Sequence, residues 1–188
     1  MKTLIKILSF GLLLLGSISA VSADEYSDTI QVFRNAIESK GFFDSAYGYA
    51  VFPTIGKGGM GIGGAYGEGR VYAQGQYVGD TKMTQVSIGF QLGGQAYSQM
   101  IFFEDKRAFD EFTGGNFEFG AQASAVAITA GAQAAATTTG SSAGASGGQK
   151  DAKAYGSYYK GMAVFTVAKG GLMYEASISG QKFSYTPK

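Results

Sequence analysis

The chain contains no cysteine, no histidine and no tryptophan, and only two of its 188 residues are proline. Without histidine and cysteine there is no Ser-His-Asp or Cys-His pair, and no imidazole or thiolate ligand for zinc, haem or an iron–sulfur cluster. We therefore expect no cofactor and no metal site. A cysteine-free protein also has to obtain its stability from packing, because disulfides are impossible.

Charged residues are scarce as well, at 15% of the chain, and they nearly cancel to a net charge of +1. Such a balance predicts no nucleic-acid partner. The distribution is uneven, because residues 119–188 hold six lysines against only Asp151 and Glu175. This asymmetry predicts a basic face, and lysines scattered over the surface for solubility are the alternative.

The first twenty-three residues have the features of a secretory signal peptide. Two lysines precede an apolar run over residues 7–15, and the small residues that follow predict cleavage after Ala23, with cleavage after Ala20 as the alternative. The run is shorter than the ~20 apolar residues that a transmembrane helix needs. We therefore expect residues 1–23 to be a signal peptide and residues 24–188 to be one domain of a periplasmic or secreted protein, peripheral to a membrane.

Two helices are predicted in the mature domain. The first begins at Ser27 or Asp28, ends at Gly41 and turns an apolar stripe inward, formed by Ile30, Phe33 and Ile37. The second spans Asp105–Phe112, is capped by Asp105 and stops at the two glycines 114 and 115.

The rest of the domain consists of short apolar runs that are interrupted by many of the 30 glycines. These runs predict strands at 49–52, 60–66, 70–77, 85–92, 96–103, 162–167, 172–178 and 182–185. Alternation over 116–136 favours a strand in its first half, with a helix as the alternative, and 137–148 is predicted to be a flexible low-complexity loop. We predict an α+β fold: a curved antiparallel glycine-rich sheet or partial barrel, with the N-terminal helix and one short helix packed against it.

Two segments, 48–59 and 161–171, resemble each other, and each reads as strand, lysine, glycine turn, strand. They predict two hairpins in one sheet, with Lys57 and Lys169 carried on their turns. Pro53 in the first segment predicts a sheet edge or a bulge, where its missing N–H does no harm.

Two motifs that suggest catalysis or nucleotide binding have simpler explanations. Residues 59–64 fit G-x-G-x-x-G, but a dinucleotide site needs that motif to open a helix, and here a glycine-rich, strand-like segment follows. Carboxylate pairs at 104–105 and 110–111 formally allow a glycosidase. Because both lie on or beside the short predicted helix, they are interpreted as its solvated face, and we expect no enzyme.

The glycine-punctuated blocks resemble those of the SYLF-domain family. The block Gly-Tyr-Ala-Val-Phe-Pro at 48–53 is followed by Lys57 and by glycines up to 69, and Ser-Ile-Gly-Phe-Gln-Leu-Gly-Gly-Gln occupies 87–95. Further similar segments are 109–112, 119–121, 159–162 and 170–180. The resemblance implies a binding module, for phosphoinositides and actin in eukaryotic members and for envelope lipids in bacterial ones.

For an exported chain the resemblance implies a non-enzymatic module that binds anionic phospholipids or a membrane surface. Lysines on glycine turns, flanked by aromatic rings, reach phosphate oxygens while the rings lie at the interface. The candidate lipid-binding residues are Lys57, Lys160 and Lys169, followed by Lys153 and Arg70. The alternative is an envelope structural or protein-partner-binding domain, with an adhesive patch formed by Tyr66, Tyr72 and Tyr77.

Overall fold

The structure, a computed structural model, describes residues 18–60, 62–88, 94–128, 156–169 and 178–188. Within these ranges the chain forms three helices and one eight-stranded sheet, as the predicted α+β class requires. The helices are α1 (Ile18–Asn35), α2 (Phe42–Ser45) and α3 (Lys106–Thr113). The strands are β1 (Gly48–Met60), β2 (Ile62–Ala73), β3 (Gln76–Ile88), β4 (Gln95–Phe103), β5 (Phe117–Glu118), β6 (Val126–Ile128), β7 (Met162–Ala168) and β8 (Lys182–Pro187).

The sheet is curled into a half-barrel with the strand order β5-β8-β3-β2-β1-β4-β7-β6. Every neighbouring pair is antiparallel except β6 and β7, which are parallel, so the predicted antiparallel sheet is in fact mixed. The two edge strands, β5 and β6, are separated in sequence by residues 119–125 alone. This short segment therefore runs from one edge of the sheet to the other and forms a seam.

One face of the sheet, the helix face, is covered by α1. Phe33 of α1 and Ala36 are buried there against side chains of β1, β4 and β7. These side chains are Val51, Met100, Phe102, Ala163, Phe165 and Val167. The predicted third member of the stripe, Ile37, is 65% exposed. The helix ends at Asn35 rather than at Gly41, so Ala36 takes the buried position and Ile37 lies in the following turn.

The opposite, inner face of the sheet packs against α3. Phe112 of α3 contacts the rings of Phe103 and Phe183, at centroid distances of 4.9 Å and 5.1 Å. All three rings are buried, and they belong to one cluster that also contains Phe52 and Ile55. Complete burial of such side chains stabilises a fold by about 1.5–3 kcal/mol each. The inner cluster is thus a principal source of stability in a chain without disulfides.

Helix α3 has the predicted position and the predicted cap. A carboxylate oxygen of Asp105 accepts a hydrogen bond from the backbone N–H of Ala108 at 2.8 Å. The helix stops at Gly114, and Gly115 follows with a φ of 96°, a conformation that glycine adopts without strain. The capping prediction is confirmed.

Strand β1 is much longer than predicted and passes through both Pro53 and Lys57. Its pairing with β4 shifts register between Phe52 and Ile55 of β1, and its pairing with β2 shifts between Val51 and Ile55 of β1. These shifts mark a bulge in β1. The bulge predicted at Pro53 is therefore confirmed, but the alternative of a sheet edge is wrong, because β1 lies between β2 and β4.

The predicted break between strands 60–66 and 70–77 does not exist. Gly67 and Gly69 lie inside β2, and the chain reverses instead at Gln74 and Gly75, where φ is positive at both residues. Strands at 96–103, 162–167 and 182–185 are confirmed as β4, β7 and β8. Within 116–128 only the short strands β5 and β6 form.

Several predictions fall partly or wholly outside the described residues. These are the last part of strand 85–92, the second half of 116–136, the loop at 137–148 and all but the last residue of strand 172–178. Residues 1–17 of the predicted signal peptide are also outside them. The cleavage position after Ala23 lies within α1, and cleavage stays a prediction. Among the helices that are described, none is both long and apolar enough to cross a bilayer.

Candidate functional site

Lys57 lies inside a strand rather than on a turn, so the predicted turn position is wrong. It pairs with Ala65 on β2 and with Gln95 on β4. Side chains alternate along a strand, so Lys57 shares the face of Ile55, which belongs to the inner cluster. Lys57 is half-buried, and no carboxylate among the described residues forms an ion pair with it.

Lys169 follows β7 on the helix face and ties that strand to α1. Its ammonium Nζ lies 3.1 Å from Glu25 Oε1 and 2.8 Å from Thr54 Oγ1, and the Thr54 hydroxyl donates to Glu25 Oε1 at 2.9 Å. Hydrogen bonds from Thr54 and then Lys169 hold the pKa of the Glu25 carboxylate below its usual value. Lys169 therefore has an internal partner.

Arg70 lies within β2 on the helix face, beside two aromatic rings. Its guanidinium carbon is 4.3 Å from the ring centroid of Tyr26 and 5.2 Å from that of Tyr77. These distances are typical of cation–π contacts. Burial raises the pKa of Tyr26 to about 12, although the Arg70 charge acts in the opposite direction. Arg70 thus helps to dock α1 on the sheet.

Lys160 lies on a glycine turn, as predicted. Tyr159 and Met162 exchange two backbone hydrogen bonds, of 2.9 Å and 3.1 Å, around the central residues Lys160 and Gly161. Both central residues have positive φ, 52° and 81°, as in a type I′ turn. Asparagine or glycine is the usual first residue of such a turn, because a lysine Cβ is crowded in the left-handed conformation.

The candidate residues do not form a single basic patch. Lys57 and Lys169 lie at one end of the sheet but on opposite faces, and Lys160 precedes β7 at the other end. The length of β7 separates Lys160 from Lys169 by roughly 20 Å, at ~3.3 Å per strand residue. Lys153 lies outside the described residues. Among the described residues the candidate lysines therefore lie apart, as in the alternative of scattered lysines, and each has its own surroundings.

A cavity of about 370 Å³ lies beside Lys160, where the seam crosses between the sheet edges. Its lining comprises Glu111, Phe117, Glu118, Phe119, Gly120, Ala121, Gln122, Ala123, Tyr159, Lys160 and Met162. Small residues of the seam form one wall. The rings of Phe117 and Phe119 meet edge to face at a centroid distance of 5.0 Å. The cavity thus combines an aromatic surface with a polar rim.

The two carboxylates that line this cavity have ion-pair partners, and the lysine that lines it has none among the described residues. Glu111 Oε2 lies 3.4 Å from Arg107 Nη1, and Glu118 Oε2 lies 3.5 Å from Lys182 Nζ. Lys160, in contrast, has no carboxylate within ion-pair distance among the described residues, and its Nζ lies 5.6 Å from the Tyr159 ring centroid. The rim therefore offers one cation whose charge is available to an anionic ligand.

Arg107 supplies a second positive charge close to the same turn. A Cβ on Gly161 would lie only 2.6 Å from Arg107 Nη2, so the absence of a side chain lets the guanidinium rest against the turn. Its Nε and Nη1 face Asp105 and Glu111, at 3.8 Å and 3.4 Å. The Lys160–Gly161 turn thus carries one cation and lies against another.

The cavity is the part of the site that sequence reasoning missed. Alternation over 116–136 predicts Phe117 and Phe119 only as strand residues, and Tyr159 belongs only to a family-like block. A local signal exists, because Phe117 and Phe119 directly precede the segment 120–125, in which every residue except Gln122 is small. Their proximity to Lys160 nevertheless requires the sheet to curl until its two edges approach each other.

The predicted tyrosine patch forms only in part: Tyr72 and Tyr77 lie side by side, with ring centroids 5.9 Å apart, whereas Tyr66 lies further along β2. Tyr66 is 49% exposed, whereas Tyr72 is half-buried and stacks on Tyr49 at a centroid distance of 5.0 Å. Glu68 and Arg70 lie between Tyr66 and Tyr72 on the same strand face. The Tyr77 hydroxyl donates a hydrogen bond to Asp80 Oδ1 at 2.9 Å.

The carboxylates near α3 have structural partners. Asp105 caps the helix, and Asp110 and Glu111 pair with Lys106 and Arg107 four residues before them. Their interpretation as a solvated helix face is confirmed by their exposure. Among the residues that the structure describes, no group of three acidic residues is placed to hold a metal ion.

Residues 84–186 match the model of a family described as Ysc84, Las17-binding protein actin regulator. The matched range contains the whole cavity lining, whereas the block at 48–69 lies outside it. Over 169 residues the chain is also 30% identical to beta cell expansion factor A of Aeromonas veronii. That alignment covers 87% of this chain and 56% of the relative, so the chain spans about half of the relative's length.

Proposed function

Since this chain belongs to the Ysc84 family, whose members carry a SYLF-type binding domain, we propose that it is a non-enzymatic module that binds anionic lipid surfaces. Lys160 and its neighbour Tyr159, at the mouth of the seam cavity, make the contact. The family match supports a lipid- or actin-binding kind of domain. The local geometry supports the choice of an anionic lipid and of Lys160.

The conformation of Lys160 is the observation that carries this proposal. A non-glycine residue in the left-handed region costs about 1–2 kcal/mol, and such strain accumulates at functional sites. The turn projects an exposed lysine, without an ion-pair partner in the described structure, beside Tyr159, which is 46% exposed. A cation next to an exposed ring suits the boundary between lipid phosphates and acyl chains.

The attraction that such a site supplies is weak and depends on salt. Each lysine or arginine near an anionic surface contributes about 1 kcal/mol within a Debye length. Lys160 alone therefore gives weak, reversible attachment, because Arg107 beside it is already paired with Asp105 and Glu111. Lys57 has no ion-pair partner in the described structure but lies at the other end of the sheet, and the charges of Lys169 and Arg70 are already engaged.

We also propose that the module acts outside the cytoplasm, in the periplasm or as a secreted protein. The support is the N-terminal pattern of two lysines, an apolar run and small residues, which is typical of a signal peptide.

The test is co-sedimentation with vesicles of phosphatidylglycerol and phosphatidylcholine, compared with vesicles of phosphatidylcholine alone. We expect binding to the anionic vesicles only, a loss at high salt, and a severalfold reduction by Lys160→Gln. Lys82→Gln is the matched control, because Lys82 is also exposed but pairs with Glu68 at 3.7 Å and lies on β3. Equal binding to both kinds of vesicle would refute the proposal.

A protein-partner-binding domain of the cell envelope is the second candidate. The observation that favours it is the family description, which names a protein-binding actin regulator. Contacts with a protein partner bury apolar surface and survive high salt. Retention of a purified envelope partner in high salt, together with no vesicle binding, would support this candidate over the first.

A further inference from the structure

We infer that the seam cavity binds a single-chain amphiphile with an anionic end, such as a fatty-acid carboxylate or a lysophospholipid phosphate. This inference rests on the proposed lipid-binding function and specifies the ligand. Surface attachment alone requires only the cation and the aromatic rim, whereas a cavity behind them accommodates a chain. The observations that carry the inference are the lining, the volume and the charges of the cavity.

The apolar part of the lining suits an alkyl chain. Phe117 and Met162 contribute apolar surface, and Phe119, only 7% exposed, continues it into the inner cluster. Transfer of a methylene group from water to such surroundings is favourable by about 0.8 kcal/mol. The seam contributes the small residues Gly120, Ala121 and Ala123 to the lining, together with Gln122, whose Oε1 accepts a hydrogen bond from the Tyr159 hydroxyl at 3.1 Å.

The volume indicates one chain rather than two. At about 370 Å³ the cavity is near the lower end of the roughly 300–1,000 Å³ that ligand sites span. A diacyl lipid would have to leave at least one chain outside. A single-chain amphiphile places its chain in the cavity and its head at the rim.

The charges select an anionic head. Glu111 and Glu118 lie on the rim, but Arg107 and Lys182 neutralise them. Lys160 remains without a carboxylate partner among the described residues, at the same mouth. An ionised carboxylate or phosphate therefore finds a donor there, and a charge-assisted hydrogen bond is roughly twice as strong as a neutral one.

The test uses dansyl-labelled undecanoic acid and its methyl ester as fluorescent probes with the full purified protein. We expect the acid to bind with a blue-shifted emission and the ester to bind about tenfold more weakly, because the ester lacks the charge that Lys160 pairs with. Lys160→Gln should abolish the difference between acid and ester. Unlabelled fatty acid and lysophosphatidic acid, added separately as competitors, distinguish a carboxylate head from a phosphate head.

Ala123→Phe tests whether the probe occupies the cavity. Ala123 lines the cavity and packs against the inner cluster, so a ring there fills the space. We expect at least tenfold weaker probe binding, with vesicle binding unchanged because Lys160 and Tyr159 remain. Ala127→Phe, at an exposed position on β6, is the control.

The results of these experiments distinguish a failure of the inference from a failure of the proposed function. Vesicle binding without probe binding, or probe binding that Ala123→Phe leaves unchanged in a folded variant, overturns the inference while the proposed function stands. Equal affinity for acid and ester in the unmodified protein also overturns it, without any variant. Probe binding in the absence of vesicle binding contradicts the proposed function instead and supports the cavity as a site for a soluble amphiphile.

Discussion

Lys169 and Glu25 are 144 residues apart in sequence, yet their side chains form an ion pair of 3.1 Å that joins the end of β7 to α1. Thr54 of β1 completes the contact by bonding to both side chains. Three separate segments therefore meet at one point on the helix face. The side chains of Lys169 and Glu25 are 37% and 47% exposed, so the energy of the pair is modest.

We predict that acid weakens the fold through Glu25. Because the pKa of Glu25 is lowered in the folded protein, its carboxylate stabilises the fold above the ordinary value of 4.5, and this contribution disappears as the pH falls through the folded value. Solvent screening limits the effect to less than about 1 kcal/mol. Urea unfolding near pH 7 and near pH 3 should show a smaller loss of stability in Glu25→Gln than in the unmodified protein.

Thr54→Val supplies the comparison for this prediction, since the Thr54 hydrogen bond is the largest cause of the lowered pKa. Its loss of stability in acid should lie between those of the unmodified protein and of Glu25→Gln. An identical acid response in all three proteins would contradict the structural role of the contact.

We predict that Lys160→Asn stabilises the protein while it weakens lipid binding. Asparagine tolerates the left-handed conformation that lysine adopts here at φ 52°, so the free energy of unfolding should rise by about 0.5–1 kcal/mol. The same change removes the cation at the cavity mouth. Thermal unfolding and vesicle co-sedimentation on one preparation measure both effects.

The β2–β3 hairpin offers a matched control for that variant. Gln74 has φ 49° and precedes Gly75 in the same kind of turn, away from the cavity. Gln74→Asn should therefore give a similar gain in stability with unchanged vesicle binding. A loss of binding in Gln74→Asn would mean that turn rigidity, and not the Lys160 charge, governs attachment.

The fold class and α3 were predictable because they depend on local signals. Asp105 caps α3 through a contact three residues away, and alternating apolar residues mark the strands whatever their order. The strand boundaries near Gly67 and Gly69 were not predictable in this way. There the glycines do not interrupt the strand. They make room for Ile55 and Phe52 of the neighbouring strand.

The candidate site was less predictable, because one bulge changes the face of a side chain. In a regular strand Val51, Ile55 and Lys57 would share a face. The bulge after Phe52 sends Val51 to the helix face and Ile55, with Lys57, to the inner face. Lys57 and Lys169 therefore point to opposite sides although their sequence surroundings are similar. The cavity at the seam depends on long-range curvature and has no local pattern.

We predict opposite effects for two Gly→Ala substitutions in the β1–β2 hairpin. A Cβ at Gly69 would lie 2.7 Å from the ring of Phe52 and 2.8 Å from the carbonyl oxygen of Val51, so Gly69→Ala should lower stability by about 1–3 kcal/mol. A Cβ at Gly58 meets nothing within 4 Å. Gly58→Ala should therefore be neutral or stabilising by up to about 1 kcal/mol, since glycine weakens a strand interior.

Denaturant unfolding of both variants checks this prediction, with the slope of the transition as a test that each variant still unfolds in two states. Equal destabilisation by both substitutions would indicate that strand glycines matter here for backbone conformation rather than for the approach of neighbouring strands.

We predict that removing one amide of a buried hydrogen-bonded pair lowers the stability of the fold more than removing both amides. Gln99 and Gln181 are fully buried and donate to each other's Oε1, at 2.9 Å and 3.1 Å, and Gln181 also donates to the Tyr97 hydroxyl at 3.1 Å. Gln181→Leu leaves the Gln99 amide and the Tyr97 oxygen without these partners, at a cost of about 1–3 kcal/mol for each buried group.

The double variant Gln99→Leu with Gln181→Leu removes both amides and leaves only the Tyr97 hydroxyl without its partner. It should therefore be more stable than Gln181→Leu alone by about 1–2 kcal/mol, even though it carries one more substitution. Urea unfolding of the two single variants and the double variant gives the coupling energy. Additive losses would show that the two amides act independently, through contacts other than the hydrogen bonds between them, and that the interior of the half-barrel tolerates unpaired polar groups.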